Sequence, residues 1–150
     1  MTTLLIGFGA SGQIGVLGRR RAQAIAIAAS QAAQIRRSIY NGATVDARLT
    51  NANANNDAAY ADQLHVFASA TTPTGNDAPD VSVGDVTVGN DTFSVFINVA
   101  ADMDPDSPGT EQGRAFAVIV RYHAGAKYDR AVVVGYRYNG AVNALKVLPL

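Results

Sequence analysis

From Arg19 to Tyr40 the chain reads RRRAQAIAIAASQAAQIRRSIY, and from Val81 onward its apolar residues recur at every second position. This change of period constrains the fold more than any other feature, because helix and strand spacings present their apolar side chains in different ways. The first stretch is dominated by Ala and interrupted by neither Pro nor Gly, so it favours helix. Ile25, Ala28, Ala29, Ala32, Ile35 and Ile39 recur at three and four, which predicts one apolar stripe. Asn41-Gly42 predicts the stop. Arg36 and Arg37 suit the negative end of the helix dipole, whereas Arg19, Arg20 and Arg21 oppose the positive end. Those three call for acidic partners elsewhere or for an earlier helix start.

In the second half, Val86 to Val88, Gly89-Asn90 and Asp91 to Phe93 read as a two-residue hairpin. Phe93, Val95, Ile97 and Val99 alternate with Ser94, Phe96 and Asn98. Arg114 to Tyr122 places Phe116, Val118, Val120 and Tyr122 on one face, and Asp129 to Tyr138 places Val132, Val134, Tyr136 and Tyr138 together. Asn139-Gly140 predicts a further hairpin into a last strand, Ala141 to Leu148. The fold class expected is α+β, a long N-terminal helix packed on an antiparallel four- to five-stranded β-meander. One domain covers 1–150: a Gly-rich arm (1–18), the long helix (19–41), polar loops with a short helix near Asp57 to Phe67 (51–80), and the meander (81–150).

A length of 150 residues suits one core. The 48% hydrophobic content is rich in Ala, Val and Gly and contains no Trp, so each core residue buries little area and neighbouring subunits would add to it. The absence of cysteine excludes disulfides and thiolate metal sites. The apolar stretch Thr3 to Leu17 has no preceding positive charge and is short of a ~20-residue span, so neither a signal peptide nor a membrane segment is expected. Synthesis in the cytoplasm follows from that expectation.

Charge is divided into blocks. Residues 1–50 hold six arginines against Asp46, residues 51–112 hold nine aspartates and Glu111 with no Lys or Arg, and residues 113–150 hold six basic residues against Asp129. A neutral chain so divided is unlike a generic nucleic-acid binder. The blocks either meet between identical subunits or neutralise one another within one.

Four groups of residues invite chemistry. Gly7, Gly9 and Gly12 form GxGxxG, and GASGQIG from Gly9 resembles the phosphate loop of short-chain dehydrogenases. That resemblance implies a nucleotide-binding enzyme, but the repeated βα units and the Tyr-x-x-x-Lys of such enzymes are missing. Without them the glycines read as a close-packed arm. Asp102, Asp104, Asp106 and Glu111 present hard oxygen ligands at the spacing of half a calcium loop, or else form a solvated acidic turn. His65 and His123 stand apart with no cysteine to complete a zinc site. Arg19 to Arg21 and Arg36-Arg37 could meet phosphate, leaving nucleic acid open as a partner, or could pair with the acidic block.

The order of helix then meander, with RRRAQAIAIAASQAAQIRRSIYNG as its helix, resembles the layout of type IV pilins, which implies an extracellular filament subunit. Their processing motif, Gly before Phe-Thr-Leu-Ile-Glu and a long apolar span, is not in this sequence. The charge blocks and the small-residue arm lead to a self-assembling structural subunit with copies of itself as partners. A virion component (coat, cement, connector or tail) forming a shell, ring or tube is the first expectation. The pilin-like filament and the small nucleotide-binding enzyme are the alternatives.

Overall fold

The alternation that begins at Val81 produces four strands: β3 (Val81–Val88), β4 (Asp91–Met103), β5 (Glu111–Ala124) and β6 (Lys127–Tyr138). They pair antiparallel in chain order, a meander. Before them come helix α1 (Thr2–Arg37), the two-residue strands β1 (Tyr40–Asn41) and β2 (Thr44–Val45), and a 3-10 turn at Ala47–Leu49. The computed structural model describes residues 2–41, 44–50, 79–103, 106–107 and 109–141, with residues 2–13 as backbone. The α+β class read from the sequence is therefore the one observed.

Two tight turns set the register. Val88 pairs with Asp91 across Gly89-Asn90, as expected, and Ala124 pairs with Lys127 across Gly125-Ala126. Gly89 (φ +63°) and Gly125 (φ +71°) occupy the left-handed region that such turns need. Asn139-Gly140 does something else. Gly140 and Ala141 are helical, and the Asn139 side chain accepts a hydrogen bond from the Ala141 N–H at 3.1 Å, so Asn139 caps a helical turn instead of opening a hairpin. The remainder of the expected last strand, the NANANN loop and the short helix near Asp57 to Phe67 lie outside the described residues.

The helix departs from expectation at both ends. It takes in the Gly-rich arm, beginning at Thr2, and it stops at Arg37 rather than residue 41. The stop is made by Ser38, whose N–H and hydroxyl both donate to the Ile35 carbonyl, at 3.1 and 2.7 Å. Asn41 then falls in β1, paired with Thr44.

One face of the sheet carries Phe93, Val95, Ile97 and Val99 on β4 and Phe116, Val118, Val120 and Tyr122 on β5. Against it α1 lays Ala24, Ala28, Ala32 and Ile35, all fully buried. The buried line differs from the predicted stripe, since Ile25, Ala29 and Ile39 are exposed. Small side chains on the helix match large rings on the sheet, which fills the layer between them. The helix covers β5 and β6, while Leu49 of the 3-10 turn closes the side toward β3 and β4. Among the described residues no helix is long and apolar enough to cross a membrane.

Candidate assembly surface

The site is built where α1 leaves the sheet. Asp91, fixed at the head of β4 by the Gly89-Asn90 turn, receives Arg20 Nε at 2.8 Å and Arg20 Nη2 at 2.7 Å on one oxygen, and Arg19 Nη2 at 3.3 Å on the other. Arg20 Nη1 also donates to the His123 carbonyl at 3.2 Å. The hydrogen bond from Arg20, reinforced by the charges of Arg20 and Arg19, holds the Asp91 carboxyl below its ordinary value. At the other end of the helix Arg36 donates to the Val134 carbonyl, and the Ser38 carbonyl accepts from Arg137. These contacts orient α1 along the sheet, from the β3–β4 and β5–β6 turns toward the end of β6.

N-terminal to the clamp the helix has no sheet beneath it. Every residue from Ile14 to Arg19 is exposed, Ile14 by 72% and Leu17 by 38%. Leu17 stands two turns before Ala24 and so continues the buried line of Ala24, Ala28, Ala32 and Ile35 past the edge of the sheet. From Thr2 to Gly18 the sequence carries no charge. The result is an uncharged helical rod joined at Arg19 and Arg20 to a packed head.

Of the predicted metal ligands, Asp102, Asp106 and Glu111 are described, at the opposite end of the head. Asp102 Oδ2 accepts from Tyr136 Oη at 2.6 Å and from Gln112 Nε2 at 3.3 Å. Burial and the neighbouring Asp102 carboxylate both push the Tyr136 phenol up. Glu111 instead turns to Arg114 and Tyr40, and Arg114 reaches on to the Leu49 carbonyl. Burial works to raise the Glu111 carboxyl, but the hydrogen bonds from Arg114 and Tyr40 outweigh it and the net shift is downward. Burial, then Glu111, pushes the Tyr40 phenol up to about 12. Asp106 is exposed in the loop, and Asp104 lies outside the described residues. Among the described residues no three potential ligands form a group that could hold a metal.

The remaining candidates are separated in the same way. Gly7, Gly9, Gly12 and Gly15 lie inside α1, and no strand precedes them among the described residues. A phosphate loop requires a strand, a turn and then a helix N-terminus. His123 lies near the end of β5 with its ring 4.1 Å from that of Tyr128, and His65 is outside the described residues. On β6 the apolar set Val132, Val134, Tyr136 and Tyr138 shares one face as predicted, but that face points away from α1, with Val134 55% and Tyr138 60% exposed. Asp91 was read from the sequence only as the start of a hairpin strand, with no role in a site. Its signal was the hairpin, which puts the residue after Gly89-Asn90 at the end of the sheet.

No protein-family model, curated protein or solved structure matches the chain. Function therefore rests on this geometry.

Proposed function

We propose that the chain is a self-assembling structural subunit in which the N-terminal half of α1 packs against other copies, while the sheet and the C-terminal half of α1 form the head. The observation that carries this reading is the exposure of Ile14 to Arg19 on every side of the helix. Five glycines lie between Gly7 and Gly18, each costing about 1 kcal/mol of helix stability relative to Ala. A stretch so poor in intrinsic propensity gains from lateral packing, and glycine allows helices to approach closely.

A rod attached to a head favours an open filament or tube, in keeping with the pilin-like layout. The virion form of the reading, a coat, cement, connector or tail component, uses the same self-contact. Light scattering on the purified chain should give a large, discrete mass, and negative-stain images should show filaments or tubes. Closed shells or rings would favour the virion form. A monomer at every concentration and ionic strength would overturn the proposal.

A further inference from the structure

We infer that the sheet continues from subunit to subunit, with the outer edge of β3, unpaired among the described residues, pairing antiparallel to the outer edge of β6 on the next copy. The inference rests on the self-assembly reading and names a contact that the helix does not make. An even number of strands is the first argument. In the order β3-β4-β5-β6, the outer strands run in opposite directions, so a copy displaced across the sheet brings its β3 antiparallel to β6 without turning over. Such a contact is head-to-tail and open-ended.

The two edges are obstructed at the same end and open at the same end. On β6 the Val134 carbonyl accepts from Arg36 and the Tyr138 carbonyl from Arg137, which occupies the C-terminal half. On β3 a register shift between Ser82 and Gly84 breaks the N-terminal part. What remains is Gly84 to Val88 on one edge and Lys127 to Ala131 on the other, both beside the hairpin turns, where the Arg130 N–H donates to Asp129 Oδ1 at 2.7 Å and must exchange that exposed bond for a strand partner.

Charge and backbone direction agree on the register. Asp85, Ser94, Arg121 and Arg130 form one cross-strand row, acidic at the β3 edge and basic at the β6 edge. Continuing the row places Asp85 of one copy opposite Arg130 of the next. Arg121 stacks over the Tyr128 ring at 4.4 Å, and Arg130, opposite it and partly exposed, is the outermost positive charge of the row. A carboxylate on the next copy would complement that charge. Because the Val134 carbonyl is turned outward, alternation along β6 turns the Arg130 backbone outward too, and alternation across the row does the same for Asp85. Four strands at about 4.8 Å separate neighbours by roughly 19 Å, beyond the 8–10 Å of packed helices. The edge contact and the helix contact therefore join different pairs of neighbours.

The test is charge reversal on the full chain. Asp85→Arg and Arg130→Asp are each measured by sedimentation and light scattering beside the wild type, with Asp85→Asn and Arg130→Gln as milder variants and circular dichroism to confirm folding. Each reversal should raise the concentration for half-assembly about tenfold or more, since like charges at a contact cost several kcal/mol. The double reversal Asp85→Arg with Arg130→Asp should restore assembly. Wild-type assembly that neither the reversals nor the milder variants alter would overturn the edge contact and leave the self-assembly reading standing. Single losses that the double reversal does not repair would overturn the pairing. A monomeric wild type would overturn both.

Discussion

The two halves of α1 are one helix under two regimes. From Arg20 to Arg37 it has no glycine, it is dominated by Ala, and it presses Ala24, Ala28, Ala32 and Ile35 onto the sheet. From Thr2 to Gly18 it is uncharged and rich in glycine, and its described part, from Ile14, lies on nothing within the subunit. The comparison teaches that tertiary packing accounts for the first half and cannot account for the second. Under the proposed self-assembly, packing against other copies would stabilise the second half.

The largest effect should come from the packed half. Ile35→Ala empties a fully buried site and should lower unfolding free energy by about 2–5 kcal/mol, whereas Ile14→Ala should change it by less than about 0.5 kcal/mol. Denaturant melts of the dilute chain measure both, and equal losses would erase the distinction between the halves. Next is Gly135→Ala. An added Cβ would overlap the ring of Phe116 in the layer beneath α1, and overpacking of that kind costs about 1–3 kcal/mol. Leu17→Asp should reverse the first pattern, leaving the melt of the subunit unchanged while reducing its mass in solution. A Leu17→Asp chain that still assembles would sink the role given to the projecting half.

The junction between the halves should be sensitive to acid. Asp91 at the junction, and Glu111 at the far end of the head, have carboxyls lowered on folding, so what they contribute is complete above their unfolded values and is lost as pH falls through the lower folded ones. Hydrogen exchange around Arg20 should therefore quicken below about pH 4, near the ordinary carboxylate range, and Asp91→Asn should reproduce the change at neutral pH. The smallest expected effect is that of calcium. Asp102 and Glu111 are engaged with separate partners, so millimolar calcium should leave the melting temperature where it was. A clear rise would instead unite the acidic loop as a site.

The fold class was legible because period is a strong signal and the two periods never overlap. The finer placement was not, for identifiable reasons. The predicted stripe favoured Ile25 as the larger apolar residue, but a sheet face bearing Phe93, Phe116 and Tyr122 accepts the smaller Ala24. The glycines between Gly7 and Gly18 lower helix propensity and made that stretch read as an arm, yet it continues α1 without a break. Alternation grouped Val132, Val134, Tyr136 and Tyr138 but could not choose their side. Gly135 decides that, because only a residue without a side chain leaves room for the Phe116 ring on the helix side. Asp102 and Glu111 shared a loop in the sequence, yet each was drawn to a different residue far along the chain.

The fit of aromatic rings over glycines has a consequence for any repeating structure. Phe116 lies over Gly135, and Tyr136 lies over Gly113. A slip of two residues between β5 and β6 would set Phe116 against Val133 or Arg137, where no such space exists. Each folded copy is thereby committed to a single strand alignment, with its outer edges at a fixed height relative to the rod. In a long lattice small differences between copies accumulate with every addition. A chain aligned in this way during its own folding would bring no such differences to a lattice.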